Sequence, residues 1–148
     1  MRKICRTMIL TLLVVSCDST GPAFSPGVEL AVHQAQWRKQ GIHDYSFDYS
    51  IAGVWMQPPP VRIVVTSDTV RHAIVIATGA AVPVAGLPTI EDVFATVGQS
   101  IHSEMGQPVI EYNSKLGYPT SINTVSSSPP DAGFVISVGN LGPLVLIQ

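Results

Sequence analysis

Histidine can bind a metal and serine can act as a nucleophile, and this sequence contains both residue types. The four histidines, at positions 33, 43, 72 and 102, share no metal-ligand spacing with one another or with acidic residues. The serine triplet at residues 126–128 stands beside two prolines, outside any G-x-S-x-G elbow, and no phosphate-binding glycine loop, calcium loop or dinucleotide fingerprint occurs. The sequence therefore predicts no catalytic residue, no metal site and no cofactor. Spacing does not test carboxylates that the fold brings together from distant segments.

The first sixteen residues have the plan of a secretory signal. Arg2, Lys3 and Arg6 form a basic head, and residues 7–15 form an uncharged, mostly apolar run. That run is too short to span a bilayer as a helix. We therefore expect residues 1–16 to be removed as a signal peptide.

Cys17 directly follows this signal and stands where a lipid-modified cysteine would stand. An aliphatic residue, Val14, lies three positions before it, and a small residue, Ser16, lies one position before it. This arrangement resembles the lipobox of bacterial lipoproteins. The resemblance implies cleavage between Ser16 and Cys17, transfer of a diacylglyceryl group to Cys17 and acylation of the new N-terminus. An ordinary signal peptide with an incidental cysteine is the alternative.

Maturation by this route would leave the chain without a thiol. Cys5 would leave with the signal peptide and Cys17 would become a thioether, so no disulfide or thiol site is expected. Residues 17–27 would form the lipidated cysteine and a tether, because they are mostly small, with prolines and glycines that interrupt regular structure. We expect an exported protein, anchored to the bacterial cell membrane through Cys17, on its periplasmic or outer face. Which membrane carries the anchor is left open.

The mature chain is acidic. Five Lys and Arg residues remain against ten Asp and Glu residues, which leaves a net charge near −5. Nucleic-acid binding needs a basic surface, so we expect no nucleic-acid partner. Anionic headgroups would not attract this chain either, so the expected membrane contact is the lipid anchor on Cys17.

Hydrophobic periodicity predicts a single α+β domain over residues 28–148. Helices are expected at 26–40 and 90–103, and strands at 43–51, 61–66, 70–76, 109–112, 118–125 and 133–138, with a short last strand at 144–147. Two helices would cover one face of a largely antiparallel sheet. Because a helix followed by three strands occurs twice, we also consider an old duplication of that unit.

Alternation along the strands predicts which side chains are buried. In residues 43–51, Tyr45 and Phe47 should face the core, with Asp44, Ser46 and Asp48 in water. The same alternation places His72 on an apolar face. One core is expected to contain Tyr45, Phe47, Tyr49, Val61, Ile63, Phe94, Val97, Ile101 and Ile122, with Trp37 as an anchor from the first helix.

The segment 52–60 is the candidate interaction surface. It carries Trp55 and Met56 and ends in three consecutive prolines, which end strand pairing because proline cannot donate to the ladder. A long loop with an aromatic residue is a candidate for binding a partner, such as another envelope protein. Trp55 and Met56 are the residues that we expect to carry this role.

The chain also resembles a family of exported bacterial proteins known as a domain of unknown function, number 6174 (DUF6174). Its matching pieces are Trp37, the segment at 44–49, the hairpin at 61–70, the segment at 89–94, and residues 109–122 with their Gly-Tyr-Pro element. Ser67-Asp68 departs from the pattern, because such hairpins usually carry a glycine there. The resemblance implies a small envelope or secreted domain and brings no activity.

Three classes of function remain. A non-enzymatic envelope module that binds a protein or another macromolecule is the leading hypothesis. The alternative is a carrier of a small apolar ligand or lipid, held in a pocket between sheet and helices. An enzyme is the third class, and the sequence disfavours it because the mature chain has no thiol, no metal-ligand spacing and no nucleophile motif.

Overall fold

Two helices and six strands follow one another in the predicted order, which confirms the α+β class. The computed structural model describes residues 25–53, 55–103, 107–124 and 133–144. The elements are α1 (Pro26–Lys39), β1 (Tyr45–Gly53), β2 (Val61–Thr66), β3 (Thr69–Val75), α2 (Ile90–Ile101), β4 (Val109–Tyr112), β5 (Pro119–Asn123) and β6 (Phe134–Gly142). Strand β6 runs four residues beyond its prediction. The predicted strand at 144–147 lies, apart from Leu144, outside the described residues.

The six strands form one open sheet in the order β3-β2-β1-β6-β5-β4, and every pair is antiparallel. The first half places its first strand, β1, at the centre of the sheet. The second half instead places its last strand, β6, beside β1. Both halves therefore cross the sheet in the same order, from last strand to first, and the duplication stays a hypothesis.

One core lies between the helices and one face of the sheet, which we call the covered face. Tyr45 and Phe47 are fully buried on this face, and α2 contributes Val93, Phe94 and Val97. Every residue of the predicted core belongs to this cluster, with Tyr49 and Ile101 half-buried at its margin. The alternation in the sequence therefore predicted the covered face correctly, because side chains two residues apart share a face of a strand.

On the other face of the sheet, which we call the uncovered face, the burial of two residues differs from the prediction. Asp44 is exposed as expected, but Ser46 is buried. Because β1 is a central strand, the small side chain of Ser46 lies between Val64 of β2 and the β6 backbone. Asp48 is half-buried and paired with Arg62, and is therefore not an open, solvated carboxylate.

His72 lies on the opposite face from the one predicted. Strand pairing shifts between Val64, which pairs with His72, and Val65, which pairs with Val70, so Arg71 is an extra residue in β3. An extra residue of this kind reverses the alternation beyond it. Ala73 consequently faces the core, while His72 is exposed on the uncovered face.

The start of α2 and the end of α1 each carry a local sequence signal. Thr89 and Asp92 form a reciprocal capping box at the start of α2. Gly41, with φ +61°, follows the end of α1 in the left-handed conformation. Ser25 stands at the N-cap position of α1, but its side chain makes no capping hydrogen bond.

Candidate functional site

The two ends of the sheet differ in polarity. The register places the last residues of β1 and β3 at the same end as the first residues of β2, β4 and β6. We call this the apolar end, comprising Gly53 and the described residues 55–61, 75–79, 109–110 and 133–135. These residues include no Asp, Glu, Lys, Arg or His.

Four large apolar side chains are exposed at the apolar end. The exposed fraction is 89% for Trp55, 65% for Val109, 55% for Met56 and 45% for Ile76. Trp55 and Met56 come from the turn after β1, Ile76 follows β3, and Val109 begins β4. The fold therefore places apolar residues from three separate segments at one end of the sheet, with Ile76 and Val109 at its opposite edges.

Backbone hydrogen bonds hold the turn that presents Trp55. The Gly53 N–H donates to the Met56 carbonyl at 2.7 Å, and the Met56 N–H donates to the Gly53 carbonyl at 3.3 Å. The same two residues form an isolated β-bridge. Trp55 is thus held outside the core by an ordered turn, and its ring contributes little to folding.

The proline run continues from this turn to β2. Pro58, Pro59 and Pro60 have no backbone N–H to donate. The Pro60 carbonyl accepts the Ile76 N–H at 3.0 Å, which ties the loop to the end of β3. The loop after β1 and the segment after β3 are therefore joined at the apolar end.

An apolar cavity of about 160 Å³ opens beside the proline run. It lies where the covered face of the sheet extends beyond the main core. Burial raises the pKa of the Tyr49 hydroxyl above its ordinary value, so this group stays neutral. The walls could hold an apolar group and offer no reactive side chain. They are formed by Tyr49, Ser50, Ile51, Pro58, Pro59, Val61, Val75, Val82 and Leu87.

Charged and polar residues gather at the opposite end of the sheet. We call this the charged end, comprising residues 43–44, the β2–β3 turn at 67–68 and the β4–β5 turn at 113–117. His43 Nδ1 lies 2.9 Å from Asp68 Oδ2, and both side chains are more than half exposed. An exposed pair of this kind contributes little to stability.

A hollow of about 330 Å³ beside His43 is also lined by Glu91. The Glu91 carboxylate accepts hydrogen bonds from the Trp37 indole at 2.7 Å and from the Tyr45 hydroxyl at 3.3 Å. Burial, opposed by a hydrogen bond from the Ile90 N–H, raises the pKa of Tyr45 well above its ordinary value. These contacts hold the start of α2 against β1, which is a structural role. The described residues contain no group of three or more His, Cys, Asp or Glu that could hold a metal ion.

The predicted site residues fall into two groups. Trp55 and Met56 are exposed together at the apolar end, whereas Ser16 and Cys17 lie outside the described residues. The sequence prediction missed the cavity and the placement of Ile76 and Val109 at the same end of the sheet as the Trp55 turn. The signal that could have found them is the absence of charged residues from 49–61 and 73–90.

Comparison with known proteins identifies a family and no activity. The sequence model described as "Family of unknown function (DUF6174)" matches residues 29–142. No curated protein and no solved structure matches the chain. Within the described residues, neither helix is long and apolar enough to cross a membrane.

Proposed function

Since the chain belongs to the DUF6174 family, whose function is unknown, we propose a function from its own residues. The protein is an exported bacterial lipoprotein, anchored to the membrane through Cys17, and its domain is a non-enzymatic binding module. The binding surface is the apolar end, with Trp55 and Met56 at its tip. The observation that carries this proposal is the 89% exposed Trp55, held out of the core by a hydrogen-bonded turn.

The support for the anchor comes from the N-terminal sequence. A basic head, a short apolar run and the lipobox-like residues before Cys17 follow one another directly. A single acyl chain binds membranes reversibly, whereas two or more make a stable anchor. Lipidation of Cys17 would therefore keep the domain at the membrane.

Metabolic labelling with a clickable fatty acid tests the anchor. We expect label on the wild-type protein and on Cys5→Ser, because Cys5 lies within the segment that is removed. Cys17→Ser should lose the label and leave the membrane fraction. An unlabelled wild-type protein with an intact N-terminal segment would refute lipidation.

Site-specific crosslinking tests the binding surface. A photoreactive amino acid replaces Gln57, which is exposed next to Met56, and the captured protein or lipid is identified by mass spectrometry. We expect capture in the native envelope and its reduction by Trp55→Ala or Met56→Ala. Val32→Ala is the matched control, since Val32 has the same 55% exposure as Met56 but lies on α1. Absence of any captured species would contradict a binding role for the apolar end.

The cavity favours a second candidate function, that of a carrier for a small apolar ligand. Its volume of about 160 Å³ is near that of an engineered cavity that binds benzene, and below the roughly 300–1,000 Å³ of pockets for drug-sized ligands. A whole lipid is therefore too large, and a ring or a short branched chain is the ligand that fits.

Native mass spectrometry of the gently purified protein tests the carrier hypothesis. A bound apolar mass should persist in Val84→Phe, because Val84 is exposed outside the cavity. It should disappear in Val82→Phe, because the larger ring fills the space that Val82 lines. If the wild-type protein carries no added mass, the carrier function is excluded.

A further inference from the structure

We propose that the apolar end lies against the surface of the bilayer that holds the acyl chains of Cys17. This inference rests on the proposed anchoring and names the partner of the apolar end. It assigns the exposed apolar residues to a lipid surface, where Trp55 reaches the boundary between headgroups and acyl chains.

The exposed side chains suit such a boundary. Trp55 presents a large apolar ring with one polar N–H, and residues of this kind are enriched where apolar and aqueous regions meet. Met56 lies beside it in the same turn, while Ile76 and Val109 extend the surface along the same end of the sheet. The four exposed apolar side chains thus lie across one end of the sheet, with Trp55 and Met56 between its two edges.

The charge distribution favours a lipid surface and fixes the orientation of the domain. The described residues of the apolar end carry no charged side chain, whereas His43, Asp44 and Asp68 lie at the charged end. The mature chain has a net charge near −5, so anionic headgroups repel the surfaces that carry its carboxylates. Contact through the described residues of the apolar end brings apolar side chains to the bilayer and keeps the carboxylates of the charged end in water.

The backbone at this end is also suited to a medium with little water. An unpaired N–H costs free energy wherever water is excluded. The three prolines after the Trp55 turn have no N–H, and the N–H groups of Gly53, Met56 and Ile76 each donate to a carbonyl. These three donors would therefore stay paired on approach to the headgroup region.

The tether keeps this surface within reach of the membrane. Eight residues, 18–25, separate Cys17 from Pro26, the first residue of α1. Fully extended, this segment spans at most roughly 30 Å. A tethered surface experiences a high effective concentration of its partner. A contact too weak to recruit a free domain is therefore sufficient to orient an anchored one.

Quenching by brominated lipid tests the contact, because the protein has two tryptophans in opposite environments. Trp37 is 3% exposed and Trp55 is 89% exposed, so lipid-borne bromine can reach only Trp55. The full mature lipoprotein is reconstituted in phosphatidylcholine vesicles with and without brominated acyl chains. We expect bromine to reduce the fluorescence of the wild type and to leave that of Trp55→Phe almost unchanged.

Two charge variants separate docking from anchoring. Met56→Asp places a carboxylate at the apolar end and keeps both tryptophans, so most of the quenching should be lost. Ser114→Asp adds the same charge in the β4–β5 turn at the charged end, where Ser114 is exposed, and should keep the quenching. Both variants should still float with the vesicles, because both retain Cys17.

Three other outcomes would overturn the membrane contact. Wild-type protein that fails to float with the vesicles refutes the anchor, and with it the membrane contact. Protein that floats while Trp55 stays unquenched overturns the contact and leaves the anchor intact. Crosslinking from position 57 to a protein in the native envelope, with no lipid captured, would also overturn it and assign the apolar end to a protein partner.

Discussion

Gly117 lies in the turn between β4 and β5, where that turn passes against α1. Its φ is +87°, and an added Cβ would lie 2.8 Å from the His33 carbonyl oxygen and 2.9 Å from Gln36 Cβ. The Gln36 side chain also donates to the carbonyls of Ser114 and Lys115. A glycine is therefore required here both by the backbone conformation and by the close approach of the helix.

Replacement of Gly117 should show both effects. We expect Gly117→Ala to lower the free energy of unfolding by about 2–4 kcal/mol, through left-handed strain and a steric clash. Gly86→Ala is the control, since Gly86 has φ +82° but no atom within 4 Å of an added Cβ. Strain alone should cost it about 1 kcal/mol. Equal losses in denaturant titrations of the two variants would mean that α1 does not approach the turn.

Asp48 is the carboxylate most firmly held on the uncovered face of the sheet. Arg62 donates two hydrogen bonds to it, at 2.7 and 2.9 Å, and Asn140 donates a third at 2.7 Å. Burial acts to raise the pKa of Asp48, but the hydrogen bonds and the charge of Arg62 outweigh it and lower that pKa below its ordinary value.

The lowered pKa gives this residue a defined effect on stability. The stabilisation is fully present above the unfolded-state pKa of Asp48, and it is lost as pH falls through the folded-state pKa. We expect Asp48→Asn to cost about 1–2 kcal/mol at pH 7. The difference from wild type should shrink below about pH 4. Glu111→Gln, on the exposed part of β4, should change stability by less than about 0.5 kcal/mol. A deficit in Asp48→Asn that does not change with pH would refute this linkage.

At the scale of elements, the helices are held by different kinds of contact. Helix α2 buries Val93, Phe94 and Val97 as one apolar stripe. Helix α1 buries only Trp37 completely, and it depends on the indole hydrogen bond to Glu91 and on edge-to-face contacts with Tyr45 and Tyr118. Helix α2 is consequently the element whose apolar packing supports most of the core.

Truncation at the centre of the α2 stripe measures that contribution. Phe94 is 3% exposed, so we expect Phe94→Ala to cost roughly 3–5 kcal/mol in the free energy of unfolding. Gln99→Ala, on the exposed side of α2, is the control and should fall within about 0.5 kcal/mol of wild type. A loss below about 1 kcal/mol for Phe94→Ala would mean that α2 docks on another face.

At the scale of the whole molecule, sheet order determines which parts open first. Strand β1 pairs on both sides, with β2 and β6, whereas β4 has four residues and pairs only with β5. We therefore expect hydrogen exchange to be slowest in β1 and β6 and fastest, among the strands, in β4. Greater protection in β4 than in β1, measured by exchange and NMR, would contradict this strand order. Circular dichroism dominated by helix would contradict the fold class itself.

The sequence by itself determined the features that depend on neighbouring residues. The capping box of Thr89 and Asp92 and the turn at Ser67-Asp68 act within a few residues, so their chemistry is visible in the order of side chains. Alternation of Tyr45 and Phe47 with polar residues likewise predicted the covered face of β1. Trp55 was predicted to be available for binding because it stands in a loop ended by prolines.

Only the tertiary structure decided what distant segments do together. Pairing of β1 with β6 places Val109 at the same end of the sheet as the Trp55 turn and Ile76, and no local pattern specifies that pairing. The face on which His72 lies was also decided by the tertiary structure. Arg71 is an extra residue in the pairing of β3 with β2, so His72 lies on the uncovered face. Strand register depends on the partner strand as well as on the strand itself. Contacts between distant segments depend on how the whole core fills space, so the apolar end and its cavity exist only in the folded chain.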